Sequence, residues 1–180
     1  MHRKYLQNKL ARHHPLDADE NGMLLQIIEF VAQHKDCFER SLSIGHITGS
    51  AWIIDLNRSH VLLTHHRKLD RWLQLGGHSD GDANTLAVAL REGREESGLD
   101  LLQPVTEAIF DVDVHLIPAR NDEPAHYHYD VRFLLEADRR IPLTISSESK
   151  DLTWVSLDDT MKLSTDASIQ RMVAKSRALA

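Results

Sequence analysis

The chain has 180 residues, 42% of them hydrophobic, and a formal net charge of −6. That length suits one domain with a sizeable core, and the acidic balance argues against a nucleic-acid coat or a membrane-surface protein. The single cysteine, Cys37, excludes an intrachain disulfide framework, and no apolar run approaches the ~18 residues a membrane span needs.

In chain order, residues 3–12 read as a short helix broken around Pro15. The basic start, MHRKYLQNKLARHHP, is not followed by a signal-type apolar core, so the cytoplasm is the expected compartment. Asp19 is expected to cap a second helix whose Met23, Leu24, Ile27, Ile28 and Val31 form an apolar stripe for core or dimer packing. Cys37, a lone thiol without an activating motif, reads as buried packing. Strands are predicted near Ser43–Leu56, His60–His65 and Trp72–Leu75, then a Gly- and Asp-rich turn and a helix over Thr85–Ser97. Two more strands, about Ala108–Ile117 and His126–Glu136, flank the loop PARNDEPA. A strand near Leu152–Ser156 and a helix from about Asp166 close the chain. No repeats or low-complexity tracts occur. Strands and helices in this order point to an α/β fold with a mixed sheet.

The helix Thr85–Ser97 carries the most informative residues. Glu92, Glu95 and Glu96 lie at i, i+3 and i+4, on one helical face. They crowd the last turns before Gly98, a natural helix stop, where the macrodipole favours cations. Like charges at this spacing repel by roughly 0.2–0.5 kcal/mol per pair. A solvated acidic face neutralised by Arg91 and Arg94 is the plain explanation; a bound divalent cation would reverse both penalties. The preceding strand and glycine turn bring backbone carbonyls near these carboxylates, an oxygen-only set that suits Mg2+ or Mn2+.

The segment Gly77–Leu99 resembles the Nudix box, G-x5-E-x7-R-E-U-x-E-E-x-G-U with U a bulky aliphatic residue. Gly77, Arg91-Glu92, Glu95-Glu96, Gly98 and Leu99 match at the family's spacing. Ala83 stands where the family has its first Glu, with Asp82 beside it, and Gly93 replaces an aliphatic residue. Gly93 costs on the order of 1 kcal/mol of helix stability against Ala and points to close packing behind the acidic face.

The resemblance implies a Nudix-type α/β/α sandwich over residues 41–180, with residues 1–40 as an N-terminal helical extension packed on the core. It implies a metal-dependent pyrophosphohydrolase that cleaves a diphosphate linkage in a nucleoside-diphosphate derivative or related small molecule by activated water. On that reading Glu92, Glu95 and Glu96 bind Mg2+ or Mn2+ with the Gly77 carbonyl, and Arg91 orients a Glu. Glu148 is the loop candidate for the base. The expected partner is a small-molecule diphosphate, with no nucleic acid or membrane, and the amphipathic N-terminal helix offers a homodimer surface. Two alternatives stand beside it. One is a ligand-sensing, non-catalytic Nudix module, which Ala83 would mark. The other resembles isopentenyl-diphosphate isomerase, which uses His and Glu ligands but expects a catalytic Cys in a strand, whereas Cys37 follows a helix.

A second constellation lies in the two strands around PARNDEPA. Period-two alternation puts His126, His128, Asp130 and Arg132 on one face of one strand, and Asp111, Asp113 and His115 on one face of the other. If the strands pair as a hairpin, these groups share a sheet face that His46, His65, His66 and His78 can approach. Three readings stay open: a solvated face, recognition of substrate by His115, His126, His128, Asp130 and Arg132, and a second metal site with His and Asp ligands. Trp52, Trp72 and Trp154 fall in strands, where burial is the ordinary explanation. The run His65-His66-Arg67-Lys68 reads as a hairpin tip or a phosphate contact.

Overall fold

The computed structural model describes residues 2–120, 124–147, 149–163 and 166–179. Its elements are α1 (Lys4–Leu10), α2 (Ala18–Gln33), β1 (Gly45–Asp55), β2 (His60–His66), β3 (Arg71–Leu73), β4 (Leu75–His78), α3 (Thr85–Ser97), β5 (Gln103–Pro104), β6 (Asp111–Ile117), β7 (His126–Ala137), β8 (Ser149–Ser156) and α4 (Ala167–Arg177). Each long helix starts on an oxygen-bearing cap. Asp17, not the expected Asp19, accepts from the Glu20 amide, Asn84 accepts from Ala87, and Asp166 accepts from Ile169. Asp19 instead sits in the first turn, where its charge suits the dipole. Gly98 ends α3 in the left-handed conformation at φ 71°.

β1 organises the sheet. It pairs parallel with β7 from Gly45↔Tyr127 to Asp55↔Ala137. Along its other edge it pairs antiparallel with β4 (Thr48↔His78) and then with β2 (Ile53↔Leu62). β7 is likewise shared between β6 and β5, while β2 also pairs with β3 and β8. One long strand serving two short ones on an edge explains why the expected strand Trp72–Leu75 is broken. The chain leaves β2 and joins β1 at Gln74, so it forms β3 and β4.

Two apolar layers flank this mixed sheet. Ile47, Ala51, Ile53, Val131 and Phe133 face α1, α2 and α3, with Leu6, Leu10, Ile27, Phe30 and Val31 in the same core. Leu24, Ile27 and Val31 of the predicted stripe are buried, but Ile28 is exposed. Cys37 is fully buried in this layer, and burial pushes its thiol up to about 11. On the opposite face Trp52, Ile54 and Leu134 pack under Ile169, Met172 and Val173 of α4, and Trp52 Nε1 donates to Ser176 Oγ at 2.8 Å. Gly49 and Gly93 let α3 lie close on β1. A Cβ at Gly49 would meet the Thr85 carbonyl at 2.8 Å, and one at Gly93 would meet Leu102 Cδ1 at 2.8 Å. Among the described residues no helix is long and apolar enough to cross a membrane.

At the β6 edge the two layers are tied by buried charges. Asp111 accepts from Arg132 (3.1 Å), from Arg171 (2.8 and 2.9 Å) and from Lys175 (2.8 Å). Lys175 of α4 also reaches Glu20 of α2, which accepts from His13 Nε2 and from the Leu16 amide, both at 2.7 Å. Burial alone would raise the Glu20 carboxyl, but hydrogen bonds from His13, Lys175 and Leu16, with the Lys175 charge, lower it to about 2. A carboxyl held below its ordinary 4.5 contributes stability that is fully present above that pH and is lost as pH falls toward 2. Glu20→Gln is therefore expected to destabilise the protein at neutral pH by on the order of 3 kcal/mol. In urea unfolding followed against pH, that difference from the parent should shrink on the acid side.

Candidate functional site

β4 runs between β1 and the last turns of α3, and its two glycines make room for carboxylates. A Cβ on Gly77 would lie 2.5 Å from the Glu92 carboxylate carbon, so the Glu92 side chain occupies the space a larger residue would fill. The Gly76 amide donates to Glu96 Oε1 at 3.3 Å. Arg91 fixes the arrangement: Nη1 donates to Glu92 Oε1 at 2.6 Å and Nη2 to the His78 carbonyl at 2.9 Å, with Glu95 at 3.6 Å. Glu92 and Glu96 thus converge on the Gly76–Gly77 backbone, whereas the Glu95 side chain is 62% exposed. An all-oxygen donor set of carboxylates beside a backbone carbonyl fits a hard divalent cation.

The departures in the motif have local explanations. Ala83 packs against the apolar layer beneath α3. Exposed Asp82 accepts from the Asn84 amide at 2.8 Å, which uses it to start the helix. Glu148 lies outside the described residues.

The hairpin forms as the alternation predicts. Asp111↔Arg132, Asp113↔Asp130, His115↔His128 and Ile117↔His126 are paired, so the seven polar residues share one face. This face is not an open, solvated one. Asp130 and Arg132 are each 2% exposed and are held by the chain itself. Asp130 accepts from Thr48 Oγ1 (2.8 Å), Ser50 Oγ (2.7 Å), Gln74 Nε2 (3.2 Å) and Arg132 Nε (2.7 Å). Arg132 also meets Asp113 at 3.3 Å, and Asp113 lies well below the usual carboxylate range. Burial alone would raise it, but the charge of Arg132 and a hydrogen bond and charge from His115 overcome that. Asp130 and Arg132 therefore support the face from within.

At the open end of the face the imidazoles gather. His46 and His78 join the hairpin histidines, with ring centroids 5.0 Å apart and each about as far from His128, at 4.8 and 5.2 Å. His126 is 5.2 Å and His115 5.5 Å from His128. His65 does not take part: its Nε2 donates to Asp70 Oδ1 at 2.8 Å and its ring stacks on half-buried Trp72. His66, Arg67 and Lys68 form the tip between β2 and β3, where Arg67 donates to the Ser147 and Ser149 carbonyls. Thr48, Ser50 and Gln74, which hold Asp130, were not among the residues marked by sequence. The signal for Thr48 and Ser50 is the alternation His46, Thr48, Ser50 against Ile47, Gly49, Ala51 in β1, whereas Gln74, between β3 and β4, carries no such signal.

A family model described as the NUDIX domain matches residues 46–175. Among solved structures, a Caenorhabditis elegans Ap4A hydrolase binary complex superposes with TM-score 0.59 at 18% identity, covering 74% of this chain and 96% of that one. An Escherichia coli dihydroneopterin triphosphate pyrophosphohydrolase gives 0.57 at 15% identity, over 74% and 96%. The NUDIX domain of Shewanella oneidensis NrtR, solved with ADP ribose, gives 0.53 at 15% identity, over 84% and 96%. No curated protein matches in sequence. Because the group nearest to a Gly77 Cβ is the tip of a flexible side chain, Gly77→Ala should leave the melting temperature within a few degrees while displacing the Glu92 carboxylate from β4. A crystal structure and a thermal melt of the variant check both halves.

Proposed function

The chain belongs to the Nudix family, and we propose that it is a hydrolase that cleaves the diphosphate linkage of a nucleoside-diphosphate derivative or related small molecule. The observation that carries this reading is the convergence of Glu92 and Glu96 on the Gly76–Gly77 backbone, with Arg91 bridging Glu92 to the His78 carbonyl.

In this reading Glu92, Glu96 and the Gly77 carbonyl hold Mg2+ or Mn2+, with Glu95 at the solvent side. Such an ion supplies neutralisation of phosphate charge and lowers the pKa of water for attack on phosphorus. The chain's own contribution is placement. The Arg91 guanidinium holds the Glu92 carboxylate, and the Gly76 amide holds that of Glu96. Rigid support of this kind matters because phosphoryl and nucleotidyl transfer depend on positioning and charge more than on covalent chemistry. His115, with a side chain 40% exposed at the hairpin's rim, is the hairpin residue best placed to meet a substrate. An isomerase mechanism that needs a reactive thiol is not favoured, since Cys37 is fully buried with its thiol raised to about 11.

The test is turnover of a panel of nucleoside-diphosphate sugars, dinucleoside polyphosphates, nucleoside triphosphates and isopentenyl diphosphate with Mg2+ and Mn2+ compared. Ion-dependent release of a phosphorylated product is expected, and Glu96→Gln should lower kcat/KM by on the order of 100-fold or more. Folded protein that turns over no member of the panel with either ion would overturn the proposal.

A further inference from the structure

Among the described residues, the one group of three His, Cys, Asp or Glu side chains whose ligand atoms all lie within 4.8 Å of one another is His46, His78 and His128. The three come from β1, β4 and β7, adjacent strands whose pairing sets them side by side: His46↔His128 across one ladder, Thr48↔His78 across the other. His46 is 1% exposed, yet neither ring nitrogen has a hydrogen-bond partner. A buried polar group left this way costs stability, and β1 offers no compensation for it. Packing does not require it either, because an apolar residue of similar size would fill the space without the penalty.

We propose that His46, His78 and His128 form a binding site for a transition-metal divalent cation of the zinc class, separate from the carboxylate site on α3. The donor chemistry selects the ion. Neutral imidazole suits Zn2+, Co2+, Ni2+ and Cu2+, whereas Mg2+ and Mn2+ prefer the oxygens around Gly77. Each imidazole ligates through the lone pair of its neutral ring, so binding releases any proton that lone pair holds.

A fourth imidazole borders the three. His126 Nδ1 donates to the Pro124 carbonyl at 2.9 Å. Its Nε2 lies 3.3 Å from His128 Nε2. Zn–N bonds of about 2.0–2.1 Å place two ligand nitrogens of a tetrahedron roughly 3.3–3.4 Å apart. His126 and His128 already stand at that separation. His115, at the rim, is held by Asp113 Oδ2 at 3.0 Å and guards the approach.

The site does not depend on the hydrolase reading, and its test is read without substrate. Untagged full-length protein is titrated with Zn2+ by calorimetry and with Co2+ by visible absorption. One equivalent per chain is expected, with the intense ligand-field bands of a tetrahedral cobalt site. His46→Asn and His128→Asn should each weaken Zn2+ binding by more than about 100-fold, beyond what loss of a supporting partner costs. Half-buried His78→Asn should do the same in a protein whose melt confirms folding. Glu96→Gln should bind Zn2+ and Co2+ as the parent does. Stoichiometric binding unaffected by all three His substitutions, binding lost only in Glu96→Gln, or no binding by the folded parent would each overturn the proposal.

Discussion

The parallel pairing of β1 with β7, from Gly45↔Tyr127 to Asp55↔Ala137, is the constraint on which the rest of the molecule hangs. Side chains alternate across a strand, so this register decides which residues share a face. It sets His46 beside His128, Thr48 beside Asp130 and Ser50 beside Arg132, and on the other side Ile47, Gly49 and Ala51 beside Tyr129, Val131 and Phe133. A slip by one residue would turn the apolar set into the polar face and the charged set into the helical layer. β4 and β6 attach to the outer edges of this pair, and α3 lies on it where glycines allow contact.

The polar face is secured by charges, two of which, Arg171 and Lys175, come from α4. Asp111, Asp113 and Asp130 alternate with Arg132 and Arg171, and Lys175 extends the network to Glu20 on the opposite layer. A buried network of this kind gains little net stability over a well-packed apolar replacement, because desolvation offsets most of the attraction. Its value is selectivity. Each carboxylate is satisfied only when β6, β7 and α4 stand in one register, so a displaced strand leaves buried charge unpaired. The network therefore anchors α4 and α2 to the same sheet edge and braces the strands that carry the imidazoles.

Two chemically different donor sets meet along β4. Gly77 faces the carboxylates of α3, and the next residue, His78, faces the imidazoles of β1 and β7. One set is oxygen, the other nitrogen. Arg91 joins them through the His78 carbonyl and the Glu92 carboxylate, so a shift in one set is transmitted to the backbone of the other.

Much of this was legible along the chain. Periodicity located α3 at Thr85–Ser97 and the hairpin face of Asp111, Asp113, His115, His126, His128, Asp130 and Arg132, because alternation and helical spacing are local properties of a backbone with two soft angles per residue. The residues from Gly77 to Leu99 carry the resemblance to the family, since that motif runs without interruption from the end of β4 through one loop and α3 to the residue after its cap. Asp17 displaced Asp19 as the cap because neighbouring carboxylates compete for the same amides, and only the backbone angles choose between them. The break at Gln74 was hidden because it arises from two pairing partners, not from residue preference. What only the tertiary structure decided was proximity between distant segments: Glu20 with Lys175, Thr48 and Ser50 with Asp130, and His46 with His78 and His128. Sequence by itself determined which faces are polar. Which polar faces meet depends on strand order and register, set by burial summed over the whole sheet, and no local pattern encodes that sum.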